Sequence, residues 1–400
     1  MEKNIWIPYT HLFAKGSPHR VLQGILKEVH HDHVIVQRAS QPLPTEDEGA
    51  SKSVEGQQDR VDFDYLVIAT GSSMPAPGKM PHVSSSAEGL TNLHRIRQDI
   101  EASQRILVIG GGACGVEFAS EMKYAYPNKH VTLVHGGKHL VDYPGFPQSF
   151  KDETLKYLES HDVRVILGEK VEGVPGLSKD SPVQRQTTKV QLKHSGKTLE
   201  SDLQILTSGI TVDTSFLETL RLPSSPMSTS LAVTTASLDG TPATEQHGAF
   251  HFSSLIDEKT HQIRVFSTTQ LAHPAFPNIF VVGDISTADP VPTALAAKAA
   301  GEVAGRNITR LMMTNPSSNL AGCPGTHPHC GPGGRSSGLE EYRAQSAVMV
   351  LAMNPTGGVS NVPVLGTHFG NNVAWVVKTR DMFVHRYWNE MNLSPPSSHS

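Results

Sequence analysis

Residues 105–122, RILVIGGGACGVEFASEM, constrain the fold more than any other part of the chain. An apolar run that favours a strand stops at Gly110, and a helical pattern follows directly. Gly110, Gly112 and Gly115 have the spacing G-x-G-x-x-G, which is typical of a dinucleotide-binding turn. The first glycine would make the tight turn, the second would let the backbone approach a pyrophosphate, and the third would let the helix lie close to the strand. The N-terminus of that helix would receive the phosphates.

A second strand, at residues 131–134, follows at the distance expected for a strand–helix–strand unit, which favours this interpretation over a chance glycine-rich turn. The position after that strand usually carries an acidic residue that holds a ribose hydroxyl. Here it is His135, with Lys138 and His139 close behind. Because no carboxylate stands there to repel a 2′-phosphate, both NADPH and NADH are candidate ligands. His135 could equally be a solvated loop residue.

The composition excludes several classes of protein. With 34 basic and 38 acidic side chains, the net charge of −4 gives no electrostatic footprint for nucleic acid. Cys114, Cys323 and Cys330 form no C-x-x-C or C-x4-C pair, so thiol–disulfide reductase chemistry is not expected. No apolar run approaches the ~20 residues that span a bilayer, and the first residues, MEKNIWIPYT, lack a signal-peptide pattern. These features predict a soluble, cytoplasmic protein.

Two further strands end in residues suited to a ligand. The apolar run 65–68 ends in Ala69, Thr70 and Gly71, small residues that let a flat or charged group approach the carboxyl end of a strand. A plain exit from strand to loop explains the same residues equally well. The run 279–282 leads into Gly283 and Asp284 ahead of an alanine-rich helix. A carboxylate at that point could hold sugar or ribityl hydroxyls of a second cofactor, or could cap the helix.

Residues 315–338 form a linker rich in glycine, proline and serine. The linker contains Cys323, His327, His329 and Cys330, which invite comparison with a zinc site. Their spacing matches no zinc-finger pattern, and proline and glycine pervade the segment. No metal site is therefore predicted.

Four segments occur in a recognisable order: DYLVIATG, then VIGGGACGVEFA with VTLVHGG, then NIFVVGD, then the closing KTRDMFVHRYWNEMNLSPP. Together they resemble the flavin-dependent pyridine-nucleotide oxidoreductases, and within them the apoptosis-inducing-factor-like, ferroptosis-suppressor type of NAD(P)H:quinone oxidoreductase. The resemblance covers most of the chain from about Ile7. It implies an α/β fold with two Rossmann-like domains, which bind FAD and NAD(P), plus a small mixed α+β C-terminal domain.

The resemblance also implies roles for single residues. Glu117 matches a glutamate near the nicotinamide and flavin rings, although an ordinary carboxylate in the first turns of a helix would look the same. Asp284 matches the aspartate that holds FAD, and the 69–71 stretch matches the segment beside the flavin. Lys378 and Phe383 match tail residues close to the flavin and quinone; the alternatives are a solvated lysine and a packed phenylalanine.

One departure from the family concerns the first domain. The family begins with its own strand, G-x-G-x-x-G turn and helix for the FAD pyrophosphate, and no such unit precedes Glu2. The FAD-binding domain is therefore expected to be incomplete. The predicted organisation is an FAD-binding domain at 1–85 and 251–314, an NAD(P)-binding domain at 86–211, a flexible insertion at 212–250, a linker at 315–338 and a C-terminal domain at 339–400.

The favoured function is an FAD-dependent NAD(P)H oxidoreductase that passes hydride through the flavin to a quinone or another small organic acceptor. One alternative is a non-catalytic NAD(P)H-binding remnant or a truncated flavoprotein, suggested by the missing first unit. Another is a flavoprotein that acts on a biosynthetic intermediate. Peripheral contact of the aromatic C-terminal stretch with a membrane, and the oligomeric state, are left open.

Overall fold

Strands and helices follow one another along the chain in a mixed α/β arrangement. The computed structural model describes residues 2–38, 57–80, 83, 85–223, 250–314, 338–344, 348–355, 357–362 and 383–394. The strands are β1 (Gly24–Val29), β2 (His33–Arg38), β3 (Gln58–Asp62), β4 (Leu66–Ile68), β5 (Arg105–Ile109), β6 (His130–His135), β7 (Arg164–Leu167), β8 (Val171–Glu172), β9 (Val183–Leu192), β10 (Thr198–Leu206), β11 (Ile279–Val281), β12 (Met349–Asn354) and β13 (Gly357–Asn361). The helices are α1 (Ser86–Ala102), α2 (Ala113–Ala125), α3 (Gln148–Ser160), α4 (Ala294–Thr314) and α5 (Val384–Glu390).

The chain divides into two units, each assembled from separate stretches of sequence. Unit 1 takes the described residues within Met1–Leu22, Ser73–Thr211 and Gln345–Ser400. Unit 2 takes those within Gln23–Ser72 and Val212–Ala344. The described part of the C-terminal segment thus belongs to unit 1. The domain boundaries expected from the sequence stay predictions.

Unit 1 is built on a six-stranded sheet with the order β7-β6-β5-β10-β9-β8. The strands β7, β6, β5 and β10 are parallel, whereas β9 and β8 run antiparallel to their neighbours. Ile106, Leu107 and Val108 of β5 are buried on both faces of the sheet, as a central parallel strand requires. The apolar run that predicted a strand before Gly110 is therefore the centre of the sheet.

A C-terminal hairpin, β12–β13, is part of unit 1 and packs against α2 and α3. The backbone N–H of Ala352 donates to Glu117, and the side-chain amide of Asn354 donates to the Tyr157 hydroxyl at 2.8 Å. The indole N–H of Trp388 on α5 donates to the Asn4 carbonyl at 2.8 Å. Described residues near both ends of the sequence thus pack within unit 1.

Unit 2 contains a three-stranded antiparallel sheet, β1-β2-β3, and a two-stranded parallel sheet of β4 and β11. All three residues of β11 are buried. Its core includes Val29, Leu217, Phe276 and Ile279. The parallel pair places the carboxyl ends of β4 and β11 side by side. In the described part of the chain, no helix has the length and apolar character to cross a membrane.

Candidate functional site

The turn between β5 and α2 has the close contacts that its glycines predict. Gly110 has a φ of +128°, a value that L side chains rarely adopt. A Cβ added at Gly115 would lie 1.9 Å from the Gly110 carbonyl oxygen, so only glycine lets α2 approach the strand this closely. The Thr207 hydroxyl donates to that same carbonyl at 3.2 Å. Both predicted roles, the tight turn and the close helix, thus have a geometric basis.

Two backbone amides of this turn donate hydrogen bonds to side chains at the end of β6 and in the loop that follows it. The Gly111 N–H donates to His135 Nδ1 at 3.1 Å, and the Ala113 N–H donates to the Tyr143 hydroxyl at 3.1 Å. A Cβ at Gly112 would lie 3.0 Å from the same hydroxyl, so the absence of a side chain there lets Tyr143 approach the backbone closely. Ala113 is the first residue of α2, which has no side-chain cap. Its N–H has no acceptor within the helix and donates to the Tyr143 hydroxyl instead.

His135 is the last residue of β6, as the sequence predicted, and its side chain faces the turn. Burial lowers the pKa of its imidazole, which favours the neutral form. Because Nδ1 accepts a hydrogen bond, we assign the ring proton to Nε2. Lys138 is exposed, and the side chain of Lys170, which follows β7, lies 3.2 Å from the position of a Cβ on Gly136. Sequence reasoning overlooked Lys170, although loops after neighbouring parallel strands share one edge of the sheet.

Glu117 lies on α2, half-buried beneath the C-terminal hairpin. Its Oε1 accepts the Ala352 N–H at 2.8 Å, so it is fixed by tertiary contact and is not a plain surface carboxylate. Glu121 follows one helical turn later. Burial, together with the charge of Glu117, raises the pKa of Glu121 from 4.5 to about 7. The sequence analysis did not identify Glu121, although it stands four residues after Glu117 and would therefore lie on the same face of a helix.

In unit 2, the two predicted flavin segments come together. The Val282 N–H donates to the Ile68 carbonyl at 3.0 Å, and the Ser72 hydroxyl donates to Asp284 Oδ2 at 2.6 Å. Gly71 has a φ of +69°, and a Cβ there would have no atom within 4 Å. Ala69 and Thr70 are exposed. This set of a fixed carboxylate, a hydroxyl and an open glycine backbone fits the hydroxyl-rich ribityl chain of FAD.

The remaining predicted residues fall in different places. Phe383 precedes α5 with a φ of +61°, and its ring centroid lies 6.4 Å from that of Tyr387. Lys378 lies outside the described residues, as do the cysteines and histidines of the linker. Within the described ranges there is no group of three or more side chains suited to hold a metal ion.

A cavity of about 660 Å³ lies at the opposite end of the unit 1 sheet from the glycine turn. Its lining includes Arg105, His130 and Arg164, which begin parallel strands. Ligands of parallel sheets bind at the carboxyl ends of the strands, so this cavity is not part of the predicted nucleotide site.

Comparison with known proteins gives a family match and several relatives. A family model described as pyridine nucleotide-disulphide oxidoreductase matches residues 22–227, about half of the chain. Ferroptosis suppressor protein 1 of Taeniopygia guttata is 27% identical over 351 residues, covering 88% of this chain and 78% of the relative. Apoptosis-inducing factor homolog B of Dictyostelium discoideum is 26% identical over 402 residues, covering 98% and 85%.

Solved structures give a weaker likeness. The water-forming NADH oxidase from Lactobacillus brevis bound to NADH is 21% identical, with a TM-score of 0.42. The likeness covers 70% of this chain and 50% of that one. The chain thus spans about half the length of this solved structure.

Proposed function

The chain belongs to the pyridine nucleotide-disulphide oxidoreductase family, and from that membership we propose an FAD-dependent enzyme that passes electrons from NAD(P)H to a quinone or another small organic acceptor. The predictions of the family, of an α/β fold, of an oxidoreductase and of FAD and NAD(P)H as its cofactors are confirmed. The acceptor and the residues that act are proposals.

The turn at Gly110 carries the proposal for NAD(P)H. Its positive φ, together with the packing at Gly115, where a Cβ would lie 1.9 Å from the Gly110 carbonyl oxygen, brings the first amides of α2 to the carboxyl end of β5. Amides at a helix N-terminus bind phosphate through hydrogen bonds and the helix dipole. We assign the pyrophosphate to this turn. His135, Lys138 and Lys170 lie where a ribose and its 2′ substituent would follow.

Asp284 and the 69–71 stretch would hold FAD in unit 2. The Ser72 hydroxyl fixes the Asp284 carboxylate, whose oxygens would accept hydrogen bonds from sugar or ribityl hydroxyls. A Cβ at Gly71 would meet nothing within 4 Å, so a flat ring would have room to approach its backbone. When bound, FAD supplies the redox chemistry, and the residues of the chain bind and orient it.

Glu117 is the candidate for tuning charge near the reacting rings. The Ala352 N–H fixes one carboxylate oxygen, so the charge keeps a defined position on α2. A fixed charge beside the nicotinamide would favour one orientation of that ring and leave the chemistry to the cofactors. The proposal of a quinone acceptor is supported by the resemblance of the C-terminal stretch, in which Phe383 is described and Lys378 is not.

The test is an absorption spectrum of the purified chain, taken before and after addition of FAD and then of NADPH without oxygen. We expect a flavin band that bleaches with NADPH and recovers when a soluble quinone is added. A chain that neither retains added FAD nor oxidises NAD(P)H with any quinone would contradict the proposal. A chain that binds NAD(P)H and stays colourless would support the non-catalytic alternative.

A further inference from the structure

The loop after β6 is fastened to the phosphate-binding turn. The Val141 N–H donates to the Gly111 carbonyl at 2.8 Å, and the Tyr143 N–H donates to the Val141 carbonyl at 2.8 Å. Val141 has a φ of +46°, a conformation that a β-branched residue rarely adopts. Asp142 forms an ion pair with Lys151 of α3. These contacts hold the loop in one position beside the turn.

The same loop places the Tyr143 hydroxyl on the turn itself. The hydroxyl accepts the Ala113 N–H at 3.1 Å and lies 3.0 Å from the position of a Cβ on Gly112. The Tyr143 ring packs edge-on against Phe146, with 6.2 Å between centroids. Burial raises the pKa of the Tyr143 hydroxyl, so it stays neutral at physiological pH. It therefore brings no negative charge to this helix N-terminus.

A pyrophosphate on this turn would compete for the N–H that donates to the Tyr143 hydroxyl. Ala113 is the first residue of α2, and its amide has no acceptor within the helix. An amide has one proton to donate, so two oxygens cannot both receive it in good geometry. His135 already accepts the Gly111 N–H. The Ala113 amide is thus the point at which ligand and side chain exclude each other.

We propose that Tyr143 competes with the pyrophosphate of NAD(P)H for the Ala113 N–H and so sets the affinity of the turn for the dinucleotide. This inference rests on the proposed binding of NAD(P)H at this turn. Binding would exchange the hydroxyl for a phosphate oxygen as the acceptor of the Ala113 N–H. The replacement Y143F removes the competing oxygen and leaves the ring in place.

The first test measures NADPH and NADH affinity by isothermal titration calorimetry for the unmodified chain, Y143F and the control Y126F. Tyr126 is a matched control because it lies at the far end of α2 and its hydroxyl bonds Glu101 at 3.3 Å. We expect Y143F to lower the dissociation constant by about threefold to tenfold, the value of one hydrogen bond. The change should be equal for both nucleotides, since they share the pyrophosphate. Y126F should leave the constant unchanged.

The outcomes separate this inference from the function on which it rests. If the unmodified chain binds nucleotide and Y143F binds it equally or more weakly, Tyr143 does not compete, and the inference is wrong while the proposed function stands. If neither binds nucleotide, both are wrong. Binding by Y143F alone would support the inference in its strongest form.

Hydrogen exchange of the peptide around Ala113 gives a second readout that is independent of activity. In the unmodified chain, NADPH replaces one acceptor by another, so protection of this amide should change little. In Y143F, the amide should exchange faster without NADPH and regain protection with it. Equal exchange in the two proteins without nucleotide would overturn the inference.

Discussion

The two strand ends proposed to bind cofactors, Gly110 in unit 1 and Gly71 in unit 2, are alike in sequence and differ in their surroundings. Both follow an apolar parallel strand and have a positive φ, +128° and +69°. A Cβ at Gly110 would lie 2.8 Å from the Thr207 hydroxyl, whereas a Cβ at Gly71 would meet nothing within 4 Å. The first turn is shaped by tight packing within a six-stranded sheet, and the second lies open beside a two-stranded one.

This difference indicates that the two proposed cofactor sites are shaped by different interactions. In unit 1, the turn is formed by steric fit, and its amides already have partners in His135 and Tyr143. In unit 2, the Ser72–Asp284 hydrogen bond links the two segments just beyond the paired strands β4 and β11. We therefore expect changes of volume to matter most in unit 1 and changes of polarity to matter most in unit 2.

The largest effect is expected for G115A. The added Cβ would lie 1.9 Å from the Gly110 carbonyl, so α2 or the turn must move. We expect the free energy of unfolding to fall by about 3 kcal/mol and NAD(P)H binding to be lost. Chemical denaturation and calorimetry measure both. G305A is the control, because a Cβ at Gly305 in α4 meets nothing within 4 Å and should stabilise that helix. Equal stability of the two variants would refute the steric account.

The second largest effect is expected for D284A in unit 2. Removal of a carboxylate that bonds Ser72 and is proposed to bond FAD should weaken FAD binding by about tenfold to a hundredfold. Quenching of flavin fluorescence on titration measures the affinity. D64A changes an exposed carboxylate of the same unit and should have no effect. If D284A retains FAD with unchanged affinity, polarity does not control this site.

A smaller effect, on the pH dependence of stability, is expected for E121Q in unit 1. The pKa of Glu121 is raised from 4.5 to about 7. Between about pH 4.5 and pH 7, the carboxyl therefore stays protonated in the folded chain but is ionised in the unfolded chain. Stability should therefore fall as pH rises from about 4.5 to about 7 and stay lowered above that. At pH 8, E121Q should be more stable than the unmodified chain by about 1 kcal/mol, a figure discounted because the side chain is only half-buried. At pH 4 the two should not differ.

Thermal unfolding at several pH values tests this prediction. E153Q is a matched control, because Glu153 is an exposed residue of α3 that pairs only loosely with Lys156 at 3.8 Å. A stability difference between E121Q and the unmodified chain that is the same at pH 4 and pH 8 would mean that titration of Glu121 is not its cause.

The smallest effect is expected for K170A, which tests the 2′-phosphate end of the nucleotide site. Lys170 is exposed and lies beside Gly136, so its charge acts through water. We expect NADPH affinity to fall by about twofold to fivefold and NADH affinity to stay unchanged. Calorimetry with both nucleotides measures the ratio of the NADPH and NADH affinities, and K156A on α3 is the control. An equal loss of affinity for NADH and NADPH would exclude a role for Lys170 in recognising the 2′-phosphate.

Local patterns in the sequence predicted the elements that frame both sites. The apolar run before Gly110, the glycine spacing and the helical pattern after it correctly predicted β5, the turn and α2. These features depend on neighbours a few residues apart, which periodicity and glycine position reveal. The expectation that Asp284 and the 69–71 stretch serve one site agrees with the pairing of β4 and β11.

Only the tertiary structure brought Tyr143 to the Ala113 amide, Lys170 beside Gly136 and the Ala352 N–H to Glu117. The raised pKa of Glu121 likewise follows from burial on α2. The sequence by itself determined the strand, the glycine turn and the helix, because their geometry is set by residues close along the chain. The partners of that turn come from loops and a hairpin far along the chain. Their positions follow from sheet order and packing, which no local pattern encodes.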